Sequence, residues 1–493
     1  MDLLSILLII PLLIVVSIIL AKNDRQVKIY AATGFGIQLL YSIFLTITYF
    51  MERAKGSAGP VLMEFRQTWF SSLNIEYHTG VDGIAIAMIL LTAVVIFAGI
   101  FASWDVKMLT KEFFISLTIL SMASFGFFIS LNLFVMFIFY ELAVIPMYLL
   151  IGIWGSGKKE FAAMKLTLML MGGSALLIVS ILGIYFNSTP FTFDMMRIAE
   201  AGIPIEAQRI FFPLTFVGFG IMSALFPLHS WSPDGHSSAP TAASMLHAGV
   251  LMKLGGYGCL KAGLFLMPEA AREMAWIFIT LATIGVMYGA YVTLKQKDLK
   301  YINAFSSVSH TGMVLFAILM FNAIATTGAV IQMVSHGLMT ALFFALIGMI
   351  YSRTHTRNID EMQGLIKVAP FIGVAYIIGG LTSLGLPGLS GFVAEINIFV
   401  GSFQNESLFH RIVTVLVVSS IVVTAVYILR VVGKFLFGEV KVKEYLNMKD
   451  ATWSERTVAI TLIAAILVIG LLPFGIQALI QDSVAFIMNN MNK

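Results

Sequence analysis

Apolar runs of about 20 residues, enough to cross a bilayer as a helix, follow one another along this 493-residue chain. They predict about fourteen spans, at 2–21, 29–51, 83–104, 112–130, 131–154, 161–186, 209–227, 240–262, 274–294, 299–321, 323–352, 369–402, 409–436 and 456–480. Ser130-Leu-Asn132 is the only punctuation between the fourth and fifth. The longest polar connections, at about 52–82, 187–208 and 437–455, are too short for a soluble domain. The expectation is an all-α membrane protein built as a single polytopic domain over 1–493.

Two spans carry breaks. The seventh reaches Phe226-Pro227-Leu-His229 and runs into Ser232-Pro-Asp234-Gly-His236, and the twelfth is interrupted at Gly385-Leu-Pro387-Gly388-Leu-Ser-Gly391. Proline removes a backbone donor and glycine weakens a helix. In lipid such breaks persist only where protein or a water-filled cavity satisfies the freed groups. Two breaks five spans apart suggest inverted repeats, spans 4–8 (112–262) against spans 9–13 (274–436). Spans 1–3 (1–111) would precede them and the last span (456–480) follow. Two ordinary proline kinks are the alternative.

Composition agrees: 59% of residues are hydrophobic, 11% charged, and the mean hydropathy is +0.93. The net charge is +4, and most Lys and Arg fall in the loops after odd-numbered spans, including Lys158, Lys159, Lys295, Lys297, Lys300, Arg353 and Arg357. The positive-inside rule puts those loops in the cytoplasm and both termini on the other side. Residues 1–20 lack a basic n-region and an Ala-x-Ala site, and read as a retained span. A lone cysteine, Cys259, cannot supply the ligands of an ordinary iron–sulfur cluster. There is no phosphate-binding GxxxxGK[ST] loop, and Gly218-Phe-Gly220 lacks the third glycine of a dinucleotide fingerprint.

Six ionisable residues lie inside the apolar runs: Glu141, Lys165, Lys253, His310, His336 and Glu395. A charge at the bilayer centre costs about 2.5–3.5 kcal/mol on insertion scales, so such residues face one another or water. Acids, lysines and histidines together are what a proton path needs. Glu141 is central in span five, where a fixed interhelical hydrogen bond is the structural alternative. Lys253 is too deep in span eight to snorkel easily, whereas Lys165 is near the basic end of span six. His310 and His336 titrate in the physiological range, though each could be a packed, bonded histidine. Glu395 follows the second break. His247 is a minor candidate, six residues before Lys253 and so on another face of the helix.

These segments resemble one family. Gly80-Val-Asp82-Gly83, Tyr140-Glu141-Leu-Ala-Val-Ile-Pro146, Pro227-Leu-His229-Ser-Trp231-Ser-Pro233-Asp234-Gly-His236 through Thr241, Ala248-Gly-Val-Leu-Met-Lys253, Ser307-Val-Ser-His310-Thr-Gly312 and His336-Gly through Arg357 look like the subunit M family of bacterial NADH–quinone oxidoreductase, the antiporter-like complex I subunit 4 family. The resemblance implies fourteen helices, two inverted five-helix repeats, broken helices seven and twelve, and a hydrophilic axis that carries protons. Family proton-transfer positions fall by motif on Glu141, Lys165, Lys253, His310, His336 and Glu395. One position departs: where the family usually has a lysine five residues before Pro227, this chain has Met222. Glu141 thereby loses its expected partner. Either Lys165 or water through Ser223 substitutes, or that half-channel works differently or is silent.

The resemblance implies a proton-translocating subunit of an NADH:quinone oxidoreductase in the bacterial cytoplasmic membrane. It implies no cofactor in this chain, with FMN, iron–sulfur clusters and quinone in partner subunits. Its partners would be other membrane subunits, adjacent antiporter-like ones among them, and the lipid bilayer, with no nucleic acid. The alternatives are the D-type membrane component of a multi-subunit cation/proton antiporter and a structural membrane subunit of a related redox complex.

Overall fold

Asn23, Asp82, Asn132, Asp298 and Asn322 each precede a long helix and accept hydrogen bonds from its first turn. An apolar helix can then begin without orphaned N–H donors. In the computed structural model, which describes residues 2–56 and 59–491, α1 (Ile6–Leu20) and α2 (Asp24–Ala54) come first. A hairpin of β1 (Leu62–Phe70) and β2 (Ile75–Val81) then leads into α3 (Gly83–Ala102). Next are α4 (Thr110–Ile129), α5 (Leu133–Trp154), α6 (Lys159–Asn187) and the short α7 (Met195–Ala201). The first broken span is α8 (Ile205–Met222) plus α9 (Trp231–Ser238).

The eighth span is segmented. α10 (Thr241–Leu246) and α11 (Met252–Gly258) are separated by a π-helical turn at His247–Leu251, and a second follows at Cys259–Leu264. Then come α12 (Pro268–Lys295), α13 (Leu299–Ile318), α14 (Ala323–Thr354) and the one-turn α15 (Leu365–Val368). α16 (Pro370–Ser383) and α17 (Ser390–Phe403) make the second broken span, followed by α18 (Leu408–Phe435), α19 (Trp453–Leu471) and α20 (Pro473–Met491).

Ten of the described helices are long and apolar enough to cross a membrane by themselves. The remaining predicted spans correspond to α1, the segmented 241–264 stretch, the more polar α13, and α16 with α17. Two expectations are corrected. The 52–82 connection contains an antiparallel hairpin, in which Arg66 pairs with His78. The predicted span 456–480 ends at Leu471, because the ring of Pro473 cannot continue the helix. α20 turns instead to pack on α3 and α14, where Gly83 N donates to Ser483 Oγ at 2.8 Å.

α14 is the central pillar, almost wholly buried and packed by α3, α10, α13, α16, α17, α19 and α20. Arg353 at its end forks onto both oxygens of Glu455 at 2.8 and 2.7 Å, which fixes the start of α19 against it.

Candidate functional site

The second broken span packs on α14, and the first on α6, α11, α12 and α13. α8 stops at Met222, and Ala224 takes a left-handed φ of +55°. In the second break Gly385 and Gly388 have φ of +63° and +92°. Gly385 has a further reason to be glycine, because a Cβ there would collide with Glu395 Oε2.

Four of the six sequence candidates converge in a buried row on α11, α14, α13 and α17. Lys253 is 1% exposed, and its Nζ donates to the carbonyl of Ala248 and to His336 Nδ1, 2.8 Å away. His336 and His310 lie with ring centroids 5.3 Å apart. Gln332 Nε2 donates to His310 Nδ1 at 3.0 Å, and His310 Nε2 meets Ser383 Oγ at 3.2 Å. Glu395 Oε1 is 4.0 Å from His310 Nδ1. Beside the row, Ser335 on α14 bonds Ser390 at the start of α17 across 2.7 Å.

With Lys253 charged, its ammonium can only donate, so His336 Nδ1 would accept and neutral His336 would carry its proton on Nε2. His310 likewise accepts at Nδ1. His336 Nε2, Gln332 Oε1 and both polar side-chain atoms of Asn303 are buried without a hydrogen-bond partner among the described residues. Buried polar groups of this kind ordinarily meet ordered water.

Lys165 belongs to a second cluster, at the face carrying the basic loops. Its Nζ is 2.7 Å from Asp234 Oδ2 on α9, and Tyr301 OH donates to the other oxygen at 3.2 Å. Lys300 is buried nearby, donating to Ala239 O at 2.6 Å. Asp234, Tyr301 and Lys300 were not candidates for chemistry in the sequence, where Lys300 counted as a basic loop residue; it instead lies buried in the first turn of α13. Their positions in a Ser-Pro-Asp-Gly stretch and a basic span end resemble ordinary solvated loop chemistry.

The structure leaves Glu141 apart from both clusters. It is half-buried on α5, with no hydrogen bond or ion pair to another described residue. Lys165 bonds Asp234, not Glu141, and Ser223 Oγ donates to Met252 O at 2.9 Å. Met222 is buried at the end of α8. His247 makes no hydrogen bond to Lys253 among the described residues. Its ring stacks on Trp231 and lies 4.2 Å from that of His236. No group of three or more His, Cys, Asp or Glu side chains among the described residues is placed to hold a metal ion, and Cys259 is buried and free.

Residues 130–424 match the membrane-subunit family described as NADH:quinone oxidoreductase/Mrp antiporter, TM. NADH-quinone oxidoreductase subunit M of Rickettsia bellii is 33% identical over 493 residues, covering 98% of each chain. NAD(P)H-quinone oxidoreductase chain 4-2 of a Synechocystis species is 34% identical over 420 residues, 85% of this chain and 74% of that protein. Among solved structures, a chain of respiratory complex I from Thermus thermophilus superposes with a TM-score of 0.89 at 23% identity, over 99% of both chains. A chain of the Mrp complex from a Dietzia species gives 0.86 at 16% identity, over 99% of this chain and 98% of that one. The chain therefore belongs to the NADH:quinone oxidoreductase/Mrp antiporter family of multi-pass membrane subunits.

Proposed function

We propose that this chain is the proton-translocating membrane subunit of a respiratory NADH–quinone oxidoreductase. The observation that carries the reading is the buried row Lys253–His336–His310–Glu395, with contacts of 2.8 Å, 5.3 Å between rings and 4.0 Å. Each member can gain and lose a proton, and the row runs from the segmented eighth span to the second broken span of the family fold. The relatives named for quinone oxidoreductases favour that complex over an antiporter. On this reading spans 4–8 and 9–13 are inverted repeats, and FMN, iron–sulfur clusters and quinone belong to partner subunits. The chain itself performs proton transfer and no redox step. It sits in the bacterial cytoplasmic membrane beside other antiporter-like subunits, with its basic loops in the cytoplasm and both termini outside.

Membrane vesicles from a Glu395→Gln strain test this. NADH-driven acidification per assembled complex collapses if Glu395 relays protons, while acidification at the wild-type rate sinks the reading. Glu141→Gln, measured alongside, reads whether the half of the molecule bearing Met222 contributes.

A further inference from the structure

Side chains of α2, α3, α14, α19 and α20 enclose a groove of about 350 Å³. Its rim is exposed, at Phe50, Val468 and Leu472, and its floor is buried, at Leu91, Val334 and Leu338. Along α3 it extends from Ala87 to Val94, and so ends about 16 Å from the start of that helix at Gly83. That is the depth of one leaflet, half of a hydrocarbon core about 30 Å thick. Just past Phe50 on α2 and Leu479 on α20, Arg53 and Asp482 approach to 4.0 Å and put a charged layer at the outer end of the groove.

The walls narrow what can fill it. Among the described lining residues Thr46 alone has a polar side chain, and its hydroxyl already donates to Ser42 O at 2.9 Å. Water held there would lack the two to four polar partners it needs. One turn of helix, about 10 Å across and about 5.4 Å tall, fills about 420 Å³. That exceeds the groove, so a neighbouring helix can lie across the mouth but cannot enter. A flexible hydrocarbon chain meets neither objection. The surface around the mouth is itself apolar and exposed, at Ile47, Leu471 and Phe474, as a lipid-facing surface is.

We propose that the groove is a binding site for one acyl chain of a phospholipid, entering from the leaflet opposite the basic loops. The chain packs on the reverse face of the helix that carries the row. Val334 and Leu338 stand two residues either side of His336, about 200° round α14 from it. Leu91 presses on Gly337 from the same floor: a Cβ on Gly337 would come within 2.9 Å of Leu91 and 2.6 Å of the Gly249 carbonyl. Gly249 belongs to the π-helical turn at His247–Leu251. An acyl chain on Leu91, Val334 and Leu338 therefore braces the crossing at which α14 meets the eighth span.

A phosphatidylethanolamine with a diazirine at the end of its palmitoyl chain tests this in vesicles that hold the assembled complex. After illumination, mass spectrometry of the digested subunit locates the adducts. The expected adducts fall on Leu91, Val334 or Leu338, which are buried and reached through the groove, as well as on exposed Leu40. Ala87→Phe and Ala465→Phe each put a ring into the groove, and should remove the floor adducts while leaving those on Leu40. Ala465 is only half-buried, so Ala465→Phe decides where Ala87→Phe assembles poorly. Adducts on Leu40 with none on the floor overturn the proposal, as does a floor signal that survives either filled groove in assembled complex. A floor signal erased by excess isoprenoid quinone gives the groove to a quinone tail and overturns the phospholipid. Labelling reads occupancy and not proton transfer, so its failure is a separate result from failure of the row.

Discussion

Replacing Lys253 tests whether the row works by moving protons or by holding a fixed charge. Its Nζ is 2.8 Å from His336 Nδ1, so two positive charges there repel by about 6 kcal/mol at an effective dielectric of about 20. That corresponds to a factor of about 10⁴ in occupancy, and the pair therefore holds one charge at a time. Moving one charge across 100 mV costs about 2.3 kcal/mol, so a charge arriving at Lys253 pushes the next proton on with force to spare. Lys253→Met removes carrier and push together, and acidification of vesicles should fall about 100-fold or more. Lys253→Arg keeps the charge but cannot release its proton, and should fall comparably. Quinone reduction and the amount of assembled complex are read in the same vesicles. Acidification at the wild-type rate by Lys253→Arg would refute the reasoning, because a fixed charge would then suffice.

Gly385→Ala should impair pumping without touching an ionisable group. The left-handed φ of +63° costs an alanine about 1–2 kcal/mol, and its Cβ displaces the Glu395 carboxylate; unchanged acidification in assembled complex counts against Glu395 needing that seat. Away from the row, Asp194 ties α7 to the hairpin through His78 at 2.6 Å and Arg66 at 3.1 Å. Burial pushes its carboxyl up, but the His78 hydrogen bond, the Arg197 N–H and the nearby charges outweigh this and hold it below the usual 3.8. A depressed folded value means the tie is fully present above pH 3.8 and is lost as pH falls through the lower value. Protease cleavage of the hairpin should rise on acidification below that point, and Asp194→Asn should remove the pH dependence.

The sequence exposed the members of the row because hydropathy makes an intramembrane charge conspicuous. It did not expose their partners. Gln332 and Ser383 are neutral, and their cost inside an apolar run is too small to mark them out. Depth was legible and direction was not: Glu141 is central in span five, yet its helix turns it to a half-buried position away from the row. Both breaks were legible through proline and glycine, although α8 ends at Met222, five residues before Pro227. The facing of His247 was read on a regular helix, whereas a π-turn begins at that residue. Such a turn has no simple residue signature, since it arises where packing admits an extra residue, and it often accompanies a functional site. The hairpin escaped because its strands alternate poorly, with five successive exposed residues at the end of β1.

The least continuous contact in the row lies between His310 and Glu395, and its geometry places the requirement for movement on a residue that never ionises. His310 Nδ1 faces Glu395 Oε1 at 4.0 Å, but that nitrogen already accepts a hydrogen bond from Gln332 Nε2 at 3.0 Å. A proton on Nδ1 would point at the Gln332 amino group, donor against donor. The amide must turn to relieve this, presenting Oε1, which is buried without a partner in the present arrangement. The neutral and protonated forms of His310 therefore demand opposite orientations of one side chain on α14, the helix that also carries His336. On the proposed path, then, protonation of His310 at Nδ1 requires Gln332 to reorient before the proton can pass to Glu395.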